Sequence, residues 1–194
     1  MSRSTHGWTN KLPAIPLASV LTGLAIVAVL VPGQAEGAVT LSCPTGWSLK
    51  GNVCYKIFNT KRSWQGALDV CRQNGAELVE VKDKATNDFA GTLAGAQGVS
   101  SYWIGLNTIG QNELGLDTRA YWSGGEEWFL SQGFWSDGQP DTGDCVLVSR
   151  LGTRYRWSRG TCEQKRDFVC QFEACDVDSF RCYSGSCIPS TRAC

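Results

Sequence analysis

The sequence predicts an α+β fold, in which two helices lead, short strands joined by long loops follow, and disulfides hold the set together. Three observations point there. Trp64, Ala67, Leu68 and Cys71 fall at i, i+3, i+4 and i+7, one face of a helix. Beyond residue 98 that periodicity stops, and glycines, tryptophans and short apolar runs alternate as YWIGL, YWSGG, EEWFL, GFWSDG, CVLVS and RYRW. Ten cysteines in 194 residues are too many for a typical cytosolic chain and imply an oxidising compartment with a disulfide framework.

The chain start explains how such a compartment is reached. Residues 1–16 carry Arg3, His6 and Lys11 with no acid, and Leu17 to Val31 form an apolar run of 15 residues. Pro32 and Gly33 end the run, and small residues follow through Gly37. Basic flank, apolar centre and small residues at a cleavage point are the layout of a secretory signal, so residues 1–37 are expected to be removed. A spanning helix needs about 20 apolar residues, and an uncleaved signal anchor is the alternative. In both cases the chain after residue 38 is exported, and after cleavage nothing holds it to a membrane.

Composition narrows the chemistry. Lysine plus arginine equals aspartate plus glutamate at 18 each, so no basic field draws nucleic acid. The single histidine is His6, inside the signal, so no imidazole remains in the mature chain for base catalysis or zinc. Oxidised cysteines remove thiolates as well. Carboxylate pairs of the glycosidase kind stay open, but no pair stands out, and an enzyme is not expected.

The first helix starts after Ser63, a capping residue, and closes at Gly75. Cys71 on its buried face is placed to staple the helix to something distant. LVEV, Leu78 to Val81, reads as a short strand. Asp83 opens a second helix, with Ala85, Phe89, Leu93 and Ala96 expected along its packed side. The stretch from about 107 to 144 has little periodicity, and a loop of that length in a compact domain is usually functional. Trp122, Trp128 and Trp135 argue that it is packed, because disordered segments are poor in aromatics. Phe168, Cys170 and Phe172 alternate as on a half-buried final strand.

These residues together resemble a C-type lectin-like domain of the long form. The features that carry the resemblance are CPTGWSLKGNVCY, the helix ending in Cys71, WIGL at Trp103 to Leu106, FWSDGQPD, Cys145 before a strand, Trp157 five residues before Cys162, and FVCQF. WSGG at 122–125 stands where the family has a WSDG-like turn. Domain boundaries of 38–173 follow, and nearly all of the mature chain except its tail is covered. The resemblance implies two helices, short antiparallel strands, a long loop region and three disulfides. It pairs Cys43 with Cys54, Cys71 with Cys170, and Cys145 with Cys162.

Residues 174–194 form a separate unit. Cys175, Cys182, Cys187 and Cys194 are separated by six, four and six residues. This resembles the first half of a low-density-lipoprotein-receptor class A module, cut short before its calcium cage. The family pairing joins Cys175 to Cys187 and leaves Cys182 and Cys194 over; a self-contained tail with all four paired is the alternative.

The resemblance also makes the long loop a candidate ligand site. Sugar-binding members hold calcium with a loop tripeptide, QPD accompanying galactose-type ligands, and Gln139-Pro140-Asp141 matches it. The family proline is usually cis. Trp128, Trp135 and Tyr155 are candidate rings for stacking on a sugar. Calcium takes six to eight oxygens, and Gln139, Asp141 and Asp144 are the candidate ligands here. The family's remaining ligands are a glutamate two positions before the loop cysteine and the Asn-Asp of a WND motif. This chain has Gly143 and Trp157-Ser158-Arg159 there. The expectation is therefore a degraded calcium site, with Arg159 as a built-in cation pairing with Asp141 or Asp144 in place of the metal. Expected partners are a galactose-type glycan or an extracellular protein bound without calcium. A mainly architectural extracellular module is the third reading. No Asn-X-Ser/Thr sequon occurs, and no heptad stalk precedes Cys43.

Overall fold

A computed structural model describes residues 40–110, 119–176, 180–183 and 186–189. The signal-like segment 1–37 lies outside them. In chain order the elements are β1 (Leu41–Ser42), β2 (Ser48–Lys50), β3 (Val53–Arg62), α1 (Trp64–Gln73), β4 (Glu77–Leu78), α2 (Lys84–Ala96) and β5 (Ser101–Asn107). Then come β6 (Arg119–Tyr121), β7 (Glu127–Phe129), β8 (Cys145–Leu151), β9 (Arg154–Gly160) and β10 (Arg166–Glu173). Among the described residues three short strands follow: β11 (Cys175–Asp176), β12 (Phe180–Tyr183) and β13 (Ser186–Pro189). Among the described residues no helix is long and apolar enough to cross a membrane.

The sheet runs β2-β3-β10-β5-β6-β7, with β4 also on β10 and the β8–β9 hairpin on β5. β10 pairs antiparallel with β3 and parallel with β5, so the last long strand lies at the middle of the sheet. Its residues therefore divide between two cores. Phe168, Cys170 and Phe172 join Trp64, Leu68 and Cys71 of α1, while Val169 joins Val146, Val148, Trp157 and the small face of α2. Phe168, Cys170 and Phe172 alternate inward as expected, and on the opposite face Val169 is buried as well, while Asp167 and Gln171 are half-buried and Glu173 is exposed.

α1 begins as its sequence indicates. The Ser63 side chain accepts from the Gly66 N–H at 3.2 Å, and Gly75, at φ +67°, closes the helix. The strand expected over Leu78–Val81 is shorter, Glu77–Leu78. The next amides leave the ladder: the Val79 N–H reaches the Val169 carbonyl, and the Glu80 N–H reaches the Gln171 side-chain oxygen.

α2 opens at Asp83, whose carboxylate accepts from the Thr86 N–H at 2.6 Å. Its buried face is Thr86, Asn87, Ala90, Gly91 and Ala94, not the expected set. Phe89 and Leu93 are only partly buried, and Ala85 and Ala96 are exposed. The reason is the neighbour. The Tyr155 ring of β9 lies so close to Gly91 that a Cβ there would be 2.3 Å from it. The helix turns its smallest residues toward that ring, and Asn87 binds the Tyr155 carbonyl and the Trp157 indole.

The disulfides with both partners among the described residues are Cys43–Cys54, Cys71–Cys170 and Cys145–Cys162. β1 pairs with β11, bringing Leu41 opposite Asp176, so the two ends of the domain meet. In the tail β12 pairs with β13, with Cys182 opposite Cys187 along the backbone. Cys175 is disulfide-bonded. The expected Cys175–Cys187 pairing falls on side chains outside the described residues, and Cys194 lies outside them too.

Candidate functional site

The long loop leaves β5 after Asn107 and returns at Cys145, and β9 runs beside its end. The Cys145–Cys162 bond and the β8–β9 ladder, in which Val146 faces Arg159, hold these segments together. The described part of the loop is built on tryptophan. Trp157 is fully buried, with Trp122 edge-on at 6.1 Å, Trp135 at 5.3 Å and Phe134 at 5.5 Å. Each such pair adds roughly 0.5–1.5 kcal/mol beyond its buried area.

Trp128 and Trp135 both donate their indole N–H to the Gln132 carbonyl, at 3.3 and 2.9 Å. Trp128 also packs edge-on against Trp122 at 5.5 Å. Both rings are half-buried parts of the loop's own packing. Tyr155 is half-buried and turned toward α2, where it lines a cavity of about 510 Å³ with Lys84 and Phe134. A smaller cavity of about 210 Å³ touches the loop at Ser136 and Asp137 and meets Leu151, Arg154 and Arg156 of the hairpin.

The Gln139–Pro140 peptide is cis. The Gln139 side-chain oxygen accepts from the Arg159 backbone N–H at 2.8 Å and from the Asp141 N–H at 3.3 Å. The Arg159 guanidinium occupies the middle of the loop. Its Nε donates to the Gly143 carbonyl, its Nη1 to the Asp141 carbonyl at 3.0 Å, and its Nη2 to Thr108 Oγ1 at 2.9 Å. Asp144 Oδ1 lies 3.8 Å from Nη2, and the Arg159 side chain is only 11% exposed. Thr108, itself buried, donates its hydroxyl to Asp144 Oδ1 at 3.1 Å and its backbone N–H to the Asp144 carbonyl at 2.7 Å.

One guanidinium thus ties both ends of the loop to β9. Its planar fork reaches three acceptors at once, which a lysine ammonium on a flexible stem matches poorly. Its contact with Asp141 is to the backbone carbonyl, and its charge partner is Asp144. Asp141 itself is exposed.

A calcium ion does not fit this arrangement. The Gln139 oxygen already accepts two N–H groups, and a permanent cation lies among the oxygens that would face the metal. Gly143 sits at φ +105°, and a Cβ there would be 2.6 Å from the Gly160 carbonyl, so no carboxylate side chain can stand at that position without moving the backbone. Ser158 shares a hydroxyl contact with Ser136 at 3.4 Å. Among the described residues no three His, Cys, Asp or Glu side chains converge as a metal-holding group.

Of the residues the sequence singles out, Gln139, Asp144 and Arg159 meet here through their side chains, and Asp141 takes part through its backbone. The sequence does not reveal Thr108 or the steric role of Gly143. Thr108 lies 51 positions from Arg159 and belongs to no local pattern. A glycine in a loop announces flexibility more readily than a close approach.

The family described as the lectin C-type domain matches residues 60–172. Lectoxin-Lio1, a C-type lectin of Erythrolamprus poecilogyrus, is 27% identical over 159 residues, covering 78% of this chain and 91% of that protein. Human lithostathine superposes with a TM-score of 0.59 at 29% identity, over 68% of this chain and 91% of that one. The C-type lectin domain of murine dendritic cell inhibitory receptor 2, solved in complex with an N-glycan, gives 0.56 at 28% identity, over 68% of this chain and 99% of that one.

Proposed function

The chain belongs to the C-type lectin domain family, and from that premise we propose that it is an exported recognition module that holds its long loop with Arg159 instead of calcium. The observation that carries this reading is the position of the guanidinium, bound to Gly143, Asp141 and Thr108 and facing Asp144. In a calcium-dependent lectin the metal both orders the loop and binds the ligand. Here Arg159 takes over the ordering, and recognition falls to the loop surface around Asp137, Gln139 and Asp141. The module binds an extracellular glycan or protein and carries out no reaction. Residues 1–37 serve as its secretory signal and 38–173 as its recognition domain. Residues 174–194 form a class A-like segment after it, with Cys175 paired to Cys187.

The experiment is thermal unfolding of the protein in EDTA and in millimolar calcium. Equal midpoints are expected. Calcium bound at about 100 times its dissociation constant would stabilise by roughly 2.7 kcal/mol, several degrees for a domain of this size, and a shift of that kind would overturn the reading.

A calcium-dependent galactose-type lectin is the second reading. It is favoured by the complete Gln139-Pro140-Asp141 tripeptide with Asp141 exposed, and it places Trp128 or Trp135 against the sugar. Retention on a galactose column with elution by chelator is its signature; retention unaffected by chelator belongs to the first reading.

A further inference from the structure

Away from the long loop, where β3 ends and β10 begins, four cations gather. Lys61 and Arg62 close β3, and Lys165 and Arg166 stand at the start of β10. Arg62 and Arg166 are directly opposed in the antiparallel register. Like charges in that position destabilise a sheet unless something offsets them. No acid of the described chain does so, because none of the four makes an ion pair among the described residues.

Arg166 is the most constrained of them. It is half-buried, with its guanidinium carbon 5.5 Å from the Trp103 ring. Nη1 donates to Ser101 Oγ at 3.1 Å and Nη2 to Gln164 Oε1 at 2.7 Å, both neutral acceptors. Its Nε is buried with no acceptor among the described residues. Burial pulls the guanidinium below its ordinary value, the direction expected of a cation that has lost water and gained no anion. A charge in this state is costly to hold, and a bound anion is the usual remedy.

A polar cavity of about 230 Å³ lies at the same place, lined by Lys61, Lys165, Arg166 and Ser101, with Asp167 as its one acid. Ser101 Oγ accepts from both Arg166 and Ser149, which leaves its own O–H to donate. Two ammonium groups, a guanidinium and a hydroxyl donor around one small cavity match a tetrahedral oxyanion, whose oxygens take several charge-assisted hydrogen bonds at once.

We propose that the cavity between Lys61, Lys165 and Arg166 binds a tetrahedral oxyanion, supplied as inorganic sulfate or as a sulfate ester on a glycan chain. This site is independent of the calcium question and lies outside the long loop. It would give the module a second point of attachment, selective for sulfated chains over neutral ones.

The test is thermal unfolding of the whole protein in sulfate against chloride at equal ionic strength, for the wild type and the Lys61→Ala/Lys165→Ala variant. Both lysines are exposed. In the wild type, sulfate at about ten times its dissociation constant should raise the midpoint by roughly 4 °C, and the variant should lose that rise. Sulfate also stabilises proteins by exclusion from their surface. An equal rise in both proteins, or none in either, would therefore overturn the site. A sulfated glycosaminoglycan disaccharide and its desulfated counterpart then identify the source. A rise at about tenfold lower concentration with the sulfated sugar alone assigns the glycan ester, corresponding to roughly 1.4 kcal/mol. A rise with inorganic sulfate alone assigns the free ion.

Discussion

Arg159 sits at a position where a side chain's charge and shape matter separately. Its three hydrogen bonds are charge-assisted, and removing them leaves the carbonyls of Asp141 and Gly143 without the donor that faces them. Arg159→Ala should cost about 2 kcal/mol, read from the urea midpoint at unchanged slope. Arg159→Lys should recover less than half of that, since it restores charge without the fork. A lysine that matched the wild type would mean that only the charge counts. Asp83 offers a second test at this scale. Its carboxyl is held below the ordinary 3.8, chiefly by the Thr86 backbone N–H. A depressed folded value contributes stability above the unfolded value and loses it as pH falls through the folded one. Asp83→Ala should therefore cost about 1 kcal/mol near neutrality, as cap losses do, and the gap should close as pH falls through the depressed folded value. A gap that stayed constant in acid would assign the effect to helix propensity instead.

At the scale of the element, α2 reverses an ordinary expectation. Alanine in place of glycine inside a helix normally gains about 1 kcal/mol. Gly91 is an exception because the Tyr155 ring fills the space a Cβ would need, at 2.3 Å. That ring is held between α2 and the sheet, with the Asn87 amide on the Tyr155 carbonyl. Gly91→Ala should thus destabilise by roughly 1–3 kcal/mol, seen as a fall in the thermal midpoint, and a rise would mean that helix and strand separate easily. The same contact explains why the buried face is rotated from the one periodicity indicates, leaving Phe89 and Leu93 at the edge of the core and Ala85 and Ala96 exposed. Phe89 and Leu93 are the larger apolar residues, and counting hydrophobicity points them inward. The partner wanted small residues, which a hydrophobic count does not weigh. For α1 the partner is the other core, and Trp64, Ala67, Leu68 and Cys71 do face it, as their spacing indicates.

At the scale of the whole molecule, the disulfides divide by the loops they close. Cys71–Cys170 spans 99 positions and fixes α1 to the central strand, whereas Cys43–Cys54 spans 11. On the chain-entropy account the longer loop is worth about 4.7 kcal/mol and the shorter about 3. Against the 5–15 kcal/mol typical of a domain, losing the first consumes much of the total. Alanine pairs at each bridge should therefore rank Cys71/Cys170 well below Cys43/Cys54 in unfolding midpoint. Equal losses would show that local strain, not loop closure, governs both.

Local pattern by itself determined the helix at Trp64–Gln73, the cap at Asp83, and the change from helices to short strands. The family likeness added the three bridges. It also drew attention to Gly143, Ser158 and Arg159, which differ from the calcium ligands of the sugar-binding members, because a missing carboxylate is a fact about one position. Only the tertiary structure decided what fills the gap. Arg159 reaches Gly143 across 16 positions and Thr108 across 51, and whether a guanidinium turns inward depends on acceptors that the fold alone brings near. The same holds for α2, whose buried face is set by a ring on another strand, and for Arg62 and Arg166, which oppose each other only through strand register. Spacing along the chain fixes which residues share a face, while the neighbour's shape and charge fix which face is used.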